Sequence, residues 1–178
     1  DMYGIHRLLV VGDHAKLNET LADNLPQYYL AFVLSNTEEY GGSGGQIAVS
    51  SINGYATEIV VHEMAHSFAD IGDDYWAGDF YARERTNLTQ ESDPSKVKWK
   101  NWCGNNGVGV YQHTDTELAK LWYRPHNECR MRILGRPFCN VCRQTLVKEI
   151  INKMNPIIEY SPVELTVSDE ILSKHKLN

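Results

Sequence analysis

No apolar run in this 178-residue sequence approaches the roughly 20 residues needed to cross a bilayer, so no membrane span is expected. Nor does any segment resemble a signal peptide. The chain begins at Asp1 rather than Met, as expected of a processed form or a fragment, so a missing leader says nothing about secretion. Basic charge is scarce: 17 Lys and Arg face 23 Asp and Glu, a net charge of −6, and a nucleic-acid surface is not expected. There is no internal repeat and no low-complexity block. Cysteine is sparse and one-sided, with Cys103, Cys129, Cys139 and Cys142 all in the second half. Four such cysteines permit two disulfides in any of three pairings, which is the preferred reading. The spacing in "CNVC" also permits a zinc knuckle, ranked second, and a redox pair, ranked third because no βαβ context precedes it.

What is present suits one domain of ordinary size, and a hydrophobic content of 42% suffices for a core. "IHRLLVVGD" (5–13), "LAFVLSN" (30–36) and "QIAVSSI" (46–52) read as buried strands. "AKLNETLADNLPQYY" carries leucines at helical spacing until Pro26 interrupts it. "YGGSGG" (40–45) is a flexible or close-approach loop. Residues 55–71 show a helical pattern, with Asn53 or Thr57 as caps and Gly72 as the stop. Residues 73–128 form a long ordered excursion with short elements, among them a strand at 108–112 and a short helix at 116–123. A second convincing helix spans 138–154, and the tail after Pro156 reads as a strand plus linker.

The chemistry concentrates in "VVHEMAHSFADIGDDYW" (60–76). Residues four apart share a helix face, so His62 and His66 can aim two imidazoles at one ion. Glu63 is rotated by about 100° and is better placed to reach a water on that ion than to be a third ligand. Random placement of 7 His and 13 Glu would yield this pattern only about 2% of the time. A catalytic zinc takes three protein ligands and leaves one position open. Positions 69 and 72 are Ala and Gly, so neither supplies a side-chain ligand. Asp73, directly after the expected helix stop, is the first candidate for the third ligand. Asp74 is second, Asp70 third and Glu84, from a different segment, fourth. A strand with an adjacent glycine-rich loop precedes the motif, an arrangement suited to holding an extended peptide by strand addition.

"HEMAHSFADIGDDYW" resembles the signature of the M64 peptidases, the family of bacterial IgA peptidases. "NTEEYGGSGG" is similar to that family's Asn-x-x-x-Tyr-Gly-Gly segment. "WYRPHNECRMRILGRPFCNVCRQTLV" resembles its downstream block, in which a Met sits in a turn before the last helix. The three stretches keep the family's order over residues ~30–150. The sequence departs from the common pattern at Asp74, where many members have Glu, and at Ala69, where Gly is frequent. The resemblance implies an α+β, zincin or metzincin-like fold. Its parts would be a mixed twisted sheet, an HExxH helix, a turn containing Met131 and a C-terminal helix. It further implies a catalytic domain over 1–155, lacking the N-terminal part of a full-length member, followed by a tail over 156–178.

The expected activity is that of a zinc endopeptidase acting on extracellular proteins or peptides. One Zn2+ would be held by His62, His66 and Asp73, with Glu63 as general base. Tyr75, Tyr123 and Arg132 lie near the right segments to stabilise an oxyanion, but packing or surface roles are preferred for them. His6, His14, His113, His126 and His175 are read as surface or satisfied positions, and the four tryptophans as core. Pairable cysteines and a free-acting endopeptidase both suggest a secreted or cell-envelope setting in a bacterium. Two rival functions stay open: a zincin-fold module that binds glycans or proteins, and a zinc amidase acting on cell-wall material. A structural domain with a fortuitous motif is the third rival.

Overall fold

The structure, a computed structural model, describes residues 6–154. Its elements are α1 (His14–Asn24), β1 (Phe32–Ser35), β2 (Gly42–Ser43), β3 (Ala48–Ser51), α2 (Ala56–Ala69), β4 (Tyr111–Gln112), β5 (Tyr123–Arg124) and α3 (Asn140–Met154). Single 3-10 turns lie at Asp79–Tyr81, Lys100–Trp102 and Ala119–Leu121. This is an α+β chain. The expected strand in the tail falls outside the described residues.

β3 is the centre of a mixed three-stranded sheet, parallel to β1 on one side and antiparallel to β2 on the other. All four of its residues are buried, and α2 lies across one face of the sheet. The two buried serines of β3 satisfy their hydroxyls on the carbonyls of Ser51 and Gly41, which makes polar residues tolerable there. Val49 and Ser50 are paired on both sides, so that part of the strand has no free edge for strand addition. The glycine-rich loop does not lie slack either. It folds back as β2, whose outer edge is taken by the segment just before α1. Leu8 bridges Gly42, and the Gly42 N–H donates to the Arg7 carbonyl at 3.1 Å. The run 5–13 is thus not a regular strand; among its described residues only Leu8 makes a bridge.

α1 is capped by Asp13, whose carboxylate accepts the Lys16 N–H at 2.9 Å. It ends at Asn24, since the residue before Pro26 is pushed out of the helical region. No residue of α1 is buried. α2 starts after a turn in which Asn53 accepts the Tyr55 N–H at 2.7 Å; Asn53 is therefore not the cap expected of it. α2 ends at Ala69, three residues before Gly72. The cap is Asp70, a non-glycine residue in the left-handed region (φ 47°) whose N–H donates to the His66 carbonyl. Its carboxylate is held by Arg83 at 2.6 Å and by Arg85.

α3 starts at Asn140 and packs on the back of α2. Ala65 and Ala69, four residues apart, give α2 a shallow stripe on that side. They share the buried core with Ile71, Val97, Trp99, Met131 and Val141. The excursion between the helices is ordered by short devices: the β4–β5 ribbon, the 3-10 turns and Trp99, whose indole donates to the Gly109 carbonyl at 2.7 Å. The expected strand at 108–112 shortens to Tyr111–Gln112. The expected helix at 116–123 is a 3-10 turn running into β5.

Candidate metal centre and cleft

α2 turns three side chains into a cleft of about 780 Å³: His62, Glu63 and His66. One wall is the glycine-rich segment. A Cβ on Gly42 would lie 2.6 Å from Ile59 Cγ2, and one on Gly44 would lie 2.5 Å from His66 Cβ. These glycines, two apart in β2 and the residue after it, let this segment lie directly on the helix that carries His62 and His66.

The two imidazoles are fixed from behind. His62 Nδ1–H donates to the Arg130 carbonyl at 3.2 Å, and His66 Nδ1–H donates to the Ile71 carbonyl at 2.6 Å. Both Nε2 atoms therefore face inward, 3.2 Å apart. Asp73 Oδ1 lies 3.0 Å from His62 Nε2 and 3.3 Å from His66 Nε2. Two inward lone pairs that close repel unless a proton or a cation sits between them. Donors about 2.0–2.1 Å from a tetrahedral zinc stand about 3.3 Å apart, so this triangle fits such an ion. The outward hydrogen bonds are the kind that orient metal-bound histidines.

The electrostatics agree. Burial pushes the Asp73 carboxyl up, but its contacts with the His62 and His66 rings outweigh it and hold the group well below the usual carboxylate range. Burial also works against a charged His66. It is overcome by the hydrogen bond and charge of Asp73, and the His66 pKa rises to about 9. Without a metal, a proton shared by His66 and Asp73 fills the cation's role. Glu63 has its pKa raised, by burial first, with the histidines pulling it back. Its carboxylate lies within 4.8 Å of both histidine nitrogens, farther than Asp73.

The other candidate ligands point elsewhere. Asp70 is engaged by two arginines. Glu84 pairs with Lys98 and accepts from Thr89 and the Gln90 N–H. Asp74 is fully buried on the opposite side of the chain from Asp73, beside three cysteines. The turn that separates the two aspartates is fastened by Asn87, which is buried. It accepts from the Gly72 N–H at 2.8 Å, donates to the Gly72 carbonyl at 2.7 Å and donates to Asp74 Oδ1 at 2.9 Å. No local signal in the sequence marks Asn87 as a staple.

The loop after Cys129 closes the site from below. Arg130 gives its carbonyl to His62 and its guanidinium to Glu58 at 3.0 Å, while the Gly135 N–H donates to the same Glu58. Met131 is completely buried, and its carbonyl accepts the Asp74 N–H at 2.8 Å. Tyr75 stacks on His62 with ring centroids 6.4 Å apart. Burial, then the Asp73 charge, raises its phenol pKa. Arg132 lines the cleft, whereas Tyr123 belongs to β5.

His126 is satisfied: one ring nitrogen donates to the Asn106 carbonyl and the other accepts the Glu128 N–H. His113 is not a surface residue. It is buried against Arg124 and Trp76, and burial lowers its pKa to about 4. Trp99 and Trp122 are core, whereas Trp76 lines the cleft. The two expected disulfides are absent, because all four cysteines are free. Cys103 stands apart from the other three, half-buried with its thiol toward the Trp99 carbonyl.

A family model described as IgA Peptidase M64 matches residues 1–108, which includes the whole of α2 and the Asp73–Asp74 turn. The downstream stretch around Met131 lies beyond that match. No curated protein matches the chain.

Proposed function

The chain belongs to the IgA peptidase M64 family, a family of metallopeptidases, and from that premise we propose that it is a zinc-dependent endopeptidase of extracellular proteins. The observation that carries the reading is the convergence of His62 Nε2, His66 Nε2 and Asp73 Oδ1 at 3.0–3.3 Å on the floor of an open cleft. These three residues would hold the ion. Bound there, zinc supplies a lowered pKa for a water molecule and polarisation of a carbonyl oxygen.

Glu63 is the base of this reading. It shares the cleft with the three donors but lies farther from the histidine nitrogens than Asp73 does. Its raised pKa, set by burial, suits a group that takes a proton from water and then delivers it to the leaving amine. Arg130 and Ile71 hold the histidines in the tautomer that points Nε2 inward. The Arg130 carbonyl on His62, with Met131 buried next to it in sequence, supports a metzincin-like arrangement. The setting we propose is secreted or cell envelope, resting on the activity alone now that the cysteines are unpaired.

The test is digestion of an unbiased peptide library by zinc-loaded protein, beside the chelated protein and Glu63→Gln. Chelator-sensitive cleavage is expected, reduced about 10²–10⁴-fold in Glu63→Gln with zinc retained. Cleavage that survives complete metal removal would refute zinc catalysis. Release of fragments from cell walls but none from peptides would favour the amidase instead.

A further inference from the structure

Behind the Asp73–Asp74 turn lies a second convergence of ligand atoms that the peptidase chemistry does not use. Asp74, Cys129, Cys139 and Cys142 are all buried and each offers one donor atom, all within 4.8 Å of one another. Cys142 Sγ lies 3.7 Å from Cys129 Sγ and 3.6 Å from Cys139 Sγ. A disulfide needs about 2.05 Å. Thiolates about 2.3 Å from a tetrahedral zinc stand about 3.8 Å apart.

Thiols in plain van der Waals contact would also show such spacing. The carboxylate is what plain packing leaves unexplained. Asp74 has no exposed surface, its Oδ1 accepts from Asn87, and its Oδ2 has no partner. A buried carboxylate with an empty oxygen costs several kcal/mol unless it takes up a proton or a cation completes it, and three sulfurs beside it make a cation site of the second choice. Backbone groups that favour anionic sulfur lie beside the thiols. The Cys139 N–H donates to Cys129 Sγ at 3.3 Å. The Cys139 carbonyl accepts the Arg143 N–H at 2.9 Å, so Cys139 caps α3 and Cys142 lies in its first turn. The free amides and dipole at that end favour thiolates.

We propose that Asp74, Cys129, Cys139 and Cys142 bind a second, structural zinc ion. Three sulfurs and one carboxylate oxygen, all buried and within 4.8 Å of one another, are a zinc donor set, with no position left for substrate. The ion ties together the turn after α2, the loop that carries Arg130 and Met131, and the start of α3. Adjacent aspartates then serve two ions, Asp73 the cleft and Asp74 the staple. The staple fixes the Arg130 carbonyl that orients His62. It is a positioning site, and its donors are separate from those of the peptidase reading.

The test is zinc stoichiometry of the full chain by native mass spectrometry, for wild type and His62→Ala/His66→Ala, after loading with zinc under reducing conditions and desalting. Two zinc ions in wild type and one in the double variant are expected. Alkylation after unfolding in chelator without reductant should then find four free thiols. With cobalt in place of zinc, the double variant should show sulfur-to-metal charge-transfer absorption, lost when Cys142→Ser or Asp74→Asn is added. A folded double variant that takes up no metal overturns the proposal. So does a disulfide among Cys129, Cys139 and Cys142 in protein purified without reductant. One ion in wild type that persists in the double variant would keep the staple and remove the cleft metal, so the two readings fail separately.

Discussion

Gly44→Ala probes how tightly the sheet is laid on the ligand helix. The new methyl would lie 2.5 Å from His66 Cβ and 2.9 Å from its Cδ2. Carbon atoms in ordinary contact sit about 3.5–4.0 Å apart, so the overlap is about 1 Å. Neither side can give way freely. His66 Cβ is fixed to α2, and its ring is anchored by the Ile71 carbonyl. The neighbouring strand β2 is paired with β3 on one edge and with Leu8 on the other. Overpacking of this kind costs about 1–3 kcal/mol, which for a chain of this size lowers the melting temperature by several degrees. A displaced imidazole should also weaken zinc binding by about 10–100-fold, as loss of a ligand's support does. Gly54→Ala is the control, because nothing lies within 4 Å of its added carbon. Thermal melts and a competitive zinc titration on both variants make the comparison. If Gly44→Ala behaves like Gly54→Ala in both assays, the close approach is not what the glycine is for.

Asn87→Ala should destabilise the fold by roughly 2–5 kcal/mol, since it strips partners from both backbone groups of Gly72 and from Asp74. A urea titration showing a loss below about 0.5 kcal/mol would contradict the staple. The metal-free protein should lose stability in alkali through His66. Its folded pKa, about 9, is above the ordinary 6.5, so the pairing with Asp73 contributes fully below 6.5 and fades as pH rises through 9. The contribution is about 3 kcal/mol at most. The stability difference between wild type and His66→Gln, both chelated, should therefore shrink between pH 7 and 10; a constant difference refutes the pairing.

The elements with a strong period were legible. α2 and α3 carry apolar residues at helical spacing, and β1 and β3 are short apolar runs. β2 was not, because Gly42 and Ser43 carry no apolar side chain to mark a strand; their signal is closeness to α2, which no local pattern encodes. The apolar run at 5–13 looks like a buried strand in isolation, yet it lies at the sheet's outer edge with a single bridge. In the site, the spacing of His62, Glu63 and His66 is local to one helix and therefore readable. Asp73 reaches the histidines by a route the sequence misplaces: the helix stops at Asp70, in a left-handed conformation held by two arginines distant in sequence. The opposite destinations of Asp73 and Asp74 could not be read, because Asp74 is held by Asn87 and by Cys129, Met131, Cys139 and Cys142, none of them local to it in sequence. The cysteines misled for the same reason, since their fourth partner is an aspartate and not Cys103.

Anomalous diffraction at the zinc absorption edge, on crystals of the zinc-loaded protein, tests the central claim most directly. The account predicts a peak about 2.0–2.2 Å from His62 Nε2, His66 Nε2 and Asp73 Oδ1, with Glu63 outside bonding distance. No peak among those three atoms, or one bound by Glu63 in place of Asp73, would contradict it.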